Sequence, residues 1–212
     1  MMELYSRIHL THKIGNPNVQ LHLILTNAGG RSVRVKRITL RLRRDGSEVS
    51  VLPAQNYLQN PGDQGTVLFT SFSVKPKEEW AHIVNFLNYF SRTDQKKYRA
   101  AELVLKTDIA EKRKLPENKE HPEVNVEADN VHVRTFDEMF DEKFIWQPGE
   151  YEVRVTVESS DKRTRVEQKY RFTLFESDSK ELSAAKDDFK FGDGIYLNSV
   201  NHPGVLVEIV EA

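Results

Sequence analysis

The clearest hydrophobic pattern in the chain lies between Trp146 and Ser177. Apolar residues alternate with polar ones from 151 to 157 and again from 166 to 174, where Gln168 interrupts the apolar positions. This period of two is typical of a strand with one buried face. The polar residues 159–163 between the two runs favour a chain reversal. The pattern therefore predicts a long antiparallel hairpin.

The N-terminal part shows the same alternation. Residues 3–14 and 19–25 are predicted strands, and the Asn-Ala-Gly-Gly sequence at 27–30 predicts a turn because Asn and Gly tolerate positive φ. The next strand, 33–44, changes phase near Lys36 and Arg37. A β-bulge there, or a strand that passes between two sheets, would explain the change.

A tight turn is expected at Asp45 and Gly46, which form the strongest two-residue hairpin signal in the chain. The return strand is predicted over 49–52, with Pro53 as its end. After a loop, strand alternation resumes at Leu68 and continues to Val74.

The spacing of the apolar residues changes in the segment 76–92. A proline and two glutamates at the start of this segment suit the first turn of a helix. Apolar residues then recur at spacings of three and four: Trp80, Ile83, Val84, Leu87 and Phe90. This pattern predicts a helix over 76–92, inserted between strands.

The remaining segments give shorter signals. A strand is expected around Ala101, Leu103 and Leu105, a mobile polar loop over 111–123 and a small hairpin over 124–133. Helical spacing follows from Phe136 to Phe144. Asp178 and Glu181 predict the start of a C-terminal helix over 178–189, and two closing strands are expected at 195–197 and 205–210.

Many short strands separated by turns predict an antiparallel β-sandwich, because each one-sided sheet must bury its apolar face. Two segments resemble the immunoglobulin-like superfold in its broad prokaryotic sense: V-Q-L-H-L-I-L-T-N-A-G-G from Val19 and P-G-E-Y-E-V-R-V-T-V from Pro148. The second is similar to the penultimate strand of fibronectin-III-like domains. The resemblance implies a mostly β domain over 1–176, with residues 177–212 packed on it, and assigns no functional residue.

Composition adds two expectations. The 212 residues contain no cysteine and no long apolar run, so neither disulfides nor a membrane span are expected, and a cytoplasmic location is the default. The net charge is only -1, but residues 1–60 hold nine Lys or Arg and three Asp or Glu. This asymmetry indicates either attraction between parts of one folded unit or a basic face for a polyanion.

No motif with the spacing of a common active site is present, so we expect no enzyme and no cofactor. Four possible metal ligands lie close together in the sequence: His121, Glu123, Asp129 and His132. Acidic residues are abundant in this polar segment, so we assign no metal site. An enzyme whose site is assembled from distant residues is the third of three functional hypotheses.

The first hypothesis is a non-catalytic accessory or protein-interaction module, with Trp80, Tyr89 and Phe90 on the predicted helix as partner-binding residues. In it, Phe90 is expected to be buried and Tyr89 exposed. The second hypothesis is polyanion or nucleic-acid binding through the basic strand 31–44. Its residues share one predicted outer face: Arg34, Lys36, Arg41 and Arg43. The sequence specifies neither the partner nor the oligomeric state.

Overall fold

A computed structural model describes residues 1–60, 62–120, 125–161, 165–197 and 204–212. Within them the chain forms eleven strands, four α-helices and one 3-10 helix. The strands are β1 (Met2–Lys13), β2 (Asn16–Thr26), β3 (Val33–Arg44), β4 (Ser47–Leu58), β5 (Val67–Leu68), β6 (Phe72–Val74), β7 (Glu79–Leu87), β8 (Gly149–Ser159), β9 (Val166–Leu174), β10 (Gly204–Glu208) and β11 (Val210–Glu211). The helices are α1 (Arg92–Lys112), α2 (Pro116–Glu120), α3 (Asn130–Lys143), α4 (Glu176–Ala184) and the 3-10 helix Ala185–Phe191.

All strand pairs are antiparallel, and they form one nearly closed sheet in the order β10-β1-β2-β7-β4-β3-β8-β9-β11. Only Ile209 separates β10 from β11. The C-terminal segment therefore pairs with β1 on one side and with β9 on the other. The Ile209 N–H donates to the Ser6 carbonyl at 2.8 Å, and the Ala212 N–H donates to the Lys169 carbonyl at 3.0 Å. This segment joins the two ends of the sheet.

The apolar positions of the strands point into the sheet and form the main core. The hairpin predicted around 151–174 is confirmed as β8 and β9, where the Tyr151 ring stacks on Phe172 at 4.9 Å between centroids. Val155 and Phe172 are both buried, although they lie on adjacent strands of one sheet and not on facing layers. The mostly antiparallel β class is thus confirmed, while the immunoglobulin-like assignment stays a prediction.

A second apolar cluster lies outside the sheet, between α1, α3 and the 3-10 helix. It meets the sheet at the β1–β2 turn, where Ile14 and Gly15 have positive φ values of 48° and 75°. A Cβ at Gly15 would lie 2.5 Å from the Phe140 carbonyl oxygen. This turn therefore requires glycine for its conformation and for the close approach of α3.

Several turn predictions are confirmed. Asp45 and Gly46 both have positive φ, as a two-residue hairpin turn of type I′ requires. The register between β3 and β8 shifts between Val35 and Arg37, so the phase change in this strand is a bulge. Gly192, with φ of 86°, ends the 3-10 helix.

The helix predicted over 76–92 is wrong, because this segment contains the central strand β7. β7 pairs with β2 and β4, and both of its faces carry apolar residues. Trp80 and Val84 point inward, whereas Ile83 and Leu87 point outward, as their partners in β2 show. Two strand faces taken together mimic the three-to-four spacing of one helical stripe.

The strand predicted around Ala101, Leu103 and Leu105 is also wrong, since these residues belong to α1. The buried face of α1 is formed by Tyr98, Leu105 and Ile109, at helical spacings of seven and four, and Leu103 is 68% exposed. Alternation over three positions was too short to distinguish the two structures.

Three smaller expectations need correction. β4 continues through Pro53, which lies where the strand leaves β3 for β7, so that its missing N–H interrupts no continuous ladder. The hairpin predicted over 124–133 is replaced by α3 from Asn130 onward, and Val124 lies outside the described residues. Part of the predicted loop 111–123 is helical, as the end of α1 and as α2, and residues 195–197 form a turn with one isolated bridge.

The C-terminal helix is confirmed, but it begins at Glu176, and Asp178 caps it from its third position by accepting the Phe175 N–H at 3.1 Å. The helical spacing from Phe136 to Phe144 is confirmed as α3 and its C-terminal cap.

Candidate functional site

A cavity of about 780 Å³ lies inside one end of the nearly closed sheet. Its inner wall is formed by inward-pointing aliphatic residues of neighbouring strands, with side chains from β2, β3, β6 and β8: Leu25, Val33, Val35, Val74 and Val157. The size and the apolar lining are typical of a site for a small molecule.

The rim of the cavity is the loop that joins β2 to β3, and Asn27 holds this loop in place. The Asn27 amide donates to the carbonyls of Arg31 and Val74 at 2.8 and 2.9 Å and accepts the Gly29 N–H at 3.0 Å. Its backbone is bonded to Lys77 and Glu78. Because all of these bonds converge on one buried amide, the rim has a defined shape without regular secondary structure.

Positive charge is concentrated at the rim. Arg31 and Arg165 line the cavity, and no Asp or Glu of the described chain does. The Arg165 guanidinium is held 2.8 Å from Glu167, which also lies 3.5 Å from Arg154. Arg31 is exposed and makes no ion pair with any described residue. The mouth of the cavity therefore favours an anionic group beside Arg31.

The predicted partner-binding residues are not brought together. Trp80 lies at the start of β7, stacked on Phe72 at 4.5 Å in an aromatic cluster with Tyr57 and His82. Tyr89 and Phe90 follow the other end of the strand. Tyr89 is 65% exposed, whereas Phe90 is half-buried against Tyr98.

The predicted polyanion-binding residues all lie on β3, but they differ in their contacts. Arg41 pairs with Glu48 at 3.2 Å, and Arg43 donates to the Gly46 carbonyl. Arg34 and Lys36 are exposed and form no ion pair within the part of the chain that the structure describes. Among the four predicted residues, the side chains without an ion pair or a hydrogen bond to the described chain are thus Arg34 and Lys36, in the first half of the strand.

Arg41 belongs to a larger surface, which we name the charged face. It consists of the outward positions of β3, β8 and β9, whose residues alternate with the buried ones. In cross-strand register, Arg43 lies opposite Glu152 and Glu152 opposite Arg171. Acidic neighbours therefore meet much of the positive charge of β3.

The other half of the sheet has a different outer surface, which we name the uncharged face. It consists of the outward positions in the middle of β2 and β7 and contains no Lys, Arg, Asp or Glu: Asn18, Gln20, His22, Ile24, Ala81, Ile83, Asn85 and Leu87. The Asn85 amide donates to the Asn56 side chain on β4. Gln20 contacts the His9 ring nitrogen at 3.2 Å.

Two of the four possible metal ligands noted in the sequence, His121 and Glu123, lie outside the described residues. The other two, Asp129 and His132, come together with Asp108 on α1. Burial raises the pKa of Asp108, but hydrogen bonds from the Asp129 N–H and Lys112 outweigh this effect and the net shift is downward. The Lys112 ammonium lies 3.1 Å from Asp108 and 2.6 Å from Asp129, so one cation already contacts both carboxylates.

Sequence analysis did not find the cavity. The turn at 27–30 and the strand containing Val33 and Val35 were predicted, but neither pattern shows that these residues meet Val157 and Arg165, more than 100 positions further along the chain. A weak signal was present, because Arg31 directly follows the predicted turn.

Among the comparisons with known proteins, only the comparison of structures finds a match. No family model and no curated protein matches the chain. A protein from Archaeoglobus fulgidus, known from its crystal structure, aligns with 82% of this chain and 98% of its own at 9% identity, with a TM-score of 0.32. Among the described helices, none combines the length and the apolar character needed to cross a membrane.

Proposed function

We propose that the protein is a non-catalytic binding module and that the cavity at the open end of the sheet is its binding site. One observation carries the proposal: an apolar cavity of about 780 Å³ has arginine and no acidic side chain at its rim. An accessory role also agrees with the immunoglobulin-like resemblance of the sequence.

The ligand that fits this arrangement is an apolar chain with an anionic end. The aliphatic wall excludes water and favours hydrocarbon, since buried apolar area contributes roughly 25 cal/mol per Å². Arg31 offers planar N–H donors that suit a carboxylate. Aliphatic contact provides the affinity, and the guanidinium orients the ligand.

The chemistry around the cavity supports binding over catalysis. No imidazole, carboxylate or amine side chain of the described residues lines it, and general acid–base catalysis usually requires one of these groups. The buried groups that could react lie elsewhere and serve the backbone. His12 contacts the Leu182 carbonyl at 2.7 Å and accepts the Gly15 N–H, and the Tyr98 hydroxyl donates to the Ile195 carbonyl at 2.6 Å. Burial raises the pKa of Tyr98 to about 12, with a contribution from Glu102.

Calorimetric titration with three ten-carbon probes tests the proposal. Decanoate is expected to bind more tightly than decanol, and decyltrimethylammonium most weakly, because only the carboxylate is attracted by Arg31. The Arg31→Gln variant should weaken decanoate binding about tenfold and leave decanol binding unchanged. Arg34→Gln is the matched control, since Arg34 does not line the cavity.

Two outcomes would contradict different parts of the proposal. Equal affinity for the three probes would remove the role of the rim charge. If none of the probes binds, the cavity is not a binding site for small amphiphiles. The Val33→Phe variant, which fills the cavity from β3, should abolish binding of decanoate and decanol alike.

A second candidate function, polyanion binding through strand 31–44, is favoured by the unpaired cations of Arg34 and Lys36. Fluorescence anisotropy with labelled single-stranded and duplex oligonucleotides should then show binding that weakens steeply as salt rises. Reversing the charge of Arg34 and Lys36 together should abolish it. Arg41→Gln, at a residue already paired with Glu48, should have a smaller effect. Unchanged binding in the double variant would exclude this candidate.

A further inference from the structure

We propose that Asn27 positions Arg31 at the mouth of the cavity and thereby sets the preference of the site for an anionic ligand. This inference rests on the proposed function, because it concerns the selectivity of the same cavity. It depends on the hydrogen bonds of one buried side chain, which connect the exposed residues 28–31, named here the rim loop, to β6.

The Asn27 side chain is buried, and its amide is bonded on both sides. The residue is only 8% exposed, although residues 28–30 directly after it are exposed. Both N–H groups of the amide are used, one for the Arg31 carbonyl and one for the Val74 carbonyl, while its oxygen accepts the Gly29 N–H. An aspartate at this position could not donate and a serine could donate only once, so this bonding pattern requires an amide.

The amide of Asn27 is the anchor of the rim loop. Within the described chain, residues 28–31 form no hydrogen bond apart from those to the Asn27 side chain. The anchor itself is fixed, because the Asn27 N–H donates to the Glu78 carbonyl at 3.0 Å and the Asn27 carbonyl accepts the Lys77 N–H at 2.8 Å. The two glycines of the loop have no side chain to restrict the backbone, so without the amide the loop would adopt many conformations.

The position of the Arg31 guanidinium depends on this anchor. The Arg31 side chain is exposed and makes no ion pair with any described residue, so no ionic contact fixes it at the rim. Its backbone is held through the Arg31 carbonyl, which accepts from Asn27 at 2.8 Å. Hydrogen bonds weaken steeply when distance and angle depart from their preferred values. A loose loop would therefore remove the advantage of an anionic ligand over a neutral one.

The same amide connects the rim to the apolar wall of the cavity. Val74 on β6 lines the cavity, and its carbonyl accepts the second N–H of Asn27 at 2.9 Å. Val33, which lies opposite Val74 on β3, lines the cavity as well. One side chain thus fixes the charged rim relative to the aliphatic wall. A ligand that contacts both gains from this arrangement, because less conformational freedom is lost on binding.

Calorimetric titration of the Asn27→Ala variant with decanoate and decanol tests the proposal. The preference of the wild type for decanoate over decanol should fall about fivefold in this variant, while the affinity for decanol should change by less than about twofold. Asn85→Ala is the matched control, because Asn85 is a buried asparagine that donates to Asn56 and does not line the cavity. It should also lower the melting temperature, but it should leave the preference unchanged.

A double variant separates positioning from a general loss of stability. If Asn27 acts through Arg31, Asn27→Ala should reduce the preference for decanoate in the wild-type background and have no further effect on this preference in the Arg31→Gln background. A merely structural role of Asn27 would instead weaken the binding of both probes equally in both backgrounds, which would overturn the proposal.

Trypsin cleavage after Arg31 measures the order of the rim loop without any ligand. Mass spectrometry should detect cleavage of the bond between Arg31 and Ser32 about fivefold faster in Asn27→Ala than in the wild type, because the anchored carbonyl belongs to this bond and its local opening becomes easier. In Asn85→Ala this bond should be cleaved at the rate of the wild type.

The outcomes distinguish this inference from the proposed function. A wild type that binds neither probe, or binds decanoate and decanol equally, would contradict the proposed function and with it the selectivity inferred for Asn27. If the wild type prefers decanoate and Asn27→Ala keeps this preference, the inference alone is overturned. An unchanged rate of cleavage after Arg31 in Asn27→Ala would overturn it as well, because the loop would then be ordered without the amide.

Discussion

The charged face and the uncharged face belong to one sheet and cover the same interior, yet their outer residues have almost nothing in common. Inward positions are apolar on both halves, for example Leu21 on β2 and Val153 on β8. Outward, Arg154 lies 3.2 Å from Glu152 and 3.5 Å from Glu167, whereas β2 presents amides and an imidazole. Burial of the inner residues explains the apolar inward positions of both halves, but it does not explain why their outward residues differ. The difference therefore lies in how the outer residues contact one another, through ion pairs on the charged face and through neutral side-chain contacts on the uncharged face.

The largest expected effect tests the interior that the two faces share. Val155→Asp places a charge among buried residues of β3, β8 and β9 and should unfold the whole domain. Burying an unpaired charge costs several kcal/mol against a total stability of about 5–15 kcal/mol. Thermal melting followed by circular dichroism would show loss of the cooperative transition. The control Lys169→Asp, at an exposed outward position, should retain it, and an unchanged melt in Val155→Asp would disprove a common core.

The next effect is specific to the charged face. Arg154→Met leaves Glu152 and Glu167 without their shared partner, and because the Arg154 side chain is only 25% exposed, the loss should be about 1–2 kcal/mol. The matched change Gln20→Met on the uncharged face removes a neutral contact with His9 and should cost about 0.5–1 kcal/mol. Urea titrations would compare the two variants, and a larger loss for Gln20→Met would reverse the energetic contrast between the faces.

A pH series sharpens the same contrast. Burial raises the pKa of Glu167, but the hydrogen bond from Arg165 and the charge of Arg154 outweigh burial, so the net shift is downward. A carboxyl whose pKa is lower in the folded state stabilises the protein above its unfolded pKa and loses this contribution as the pH falls through the folded value. The stability of the wild type should exceed that of Glu167→Gln at neutral pH, and the difference should shrink as the pH falls below about 4.3, the ordinary pKa of a glutamate. A difference that is constant over this range would refute the ionic contribution.

The smallest effect concerns the cations that have no ion pair. The double variant Arg34→Gln and Lys36→Gln should change the free energy of unfolding by no more than about 0.5 kcal/mol, because both side chains are exposed. Differential scanning calorimetry would measure this difference. A clear rise in melting temperature would show that these cations repel each other in the folded chain, and a fall would show that they have acidic partners.

Local sequence patterns were sufficient to predict the strands that have one buried face and one exposed face. The hairpin β8–β9, the strand β2, the bulge after Val35 and the turn at Asp45 and Gly46 all follow from residues close in sequence. The cavity could not be predicted from the sequence in the same way. Arg31 and Arg34 stand three positions apart in one basic run, and only the fold shows that the first lines the cavity and the second does not.

The sequence by itself determined which residues are apolar on one side, and hence most strands and their turns, because the period of a half-buried strand is a local property. Tertiary structure decided the rest. β7 is a strand and not a helix because β2 and β4 lie on either side of it and pair with both of its edges. The sheet is nearly closed because one short segment, on the two sides of Ile209, pairs with both β1 and β9. The cavity, the aromatic cluster at Trp80 and the two contrasting faces result from contacts between distant residues, whose free energy no local pattern contains.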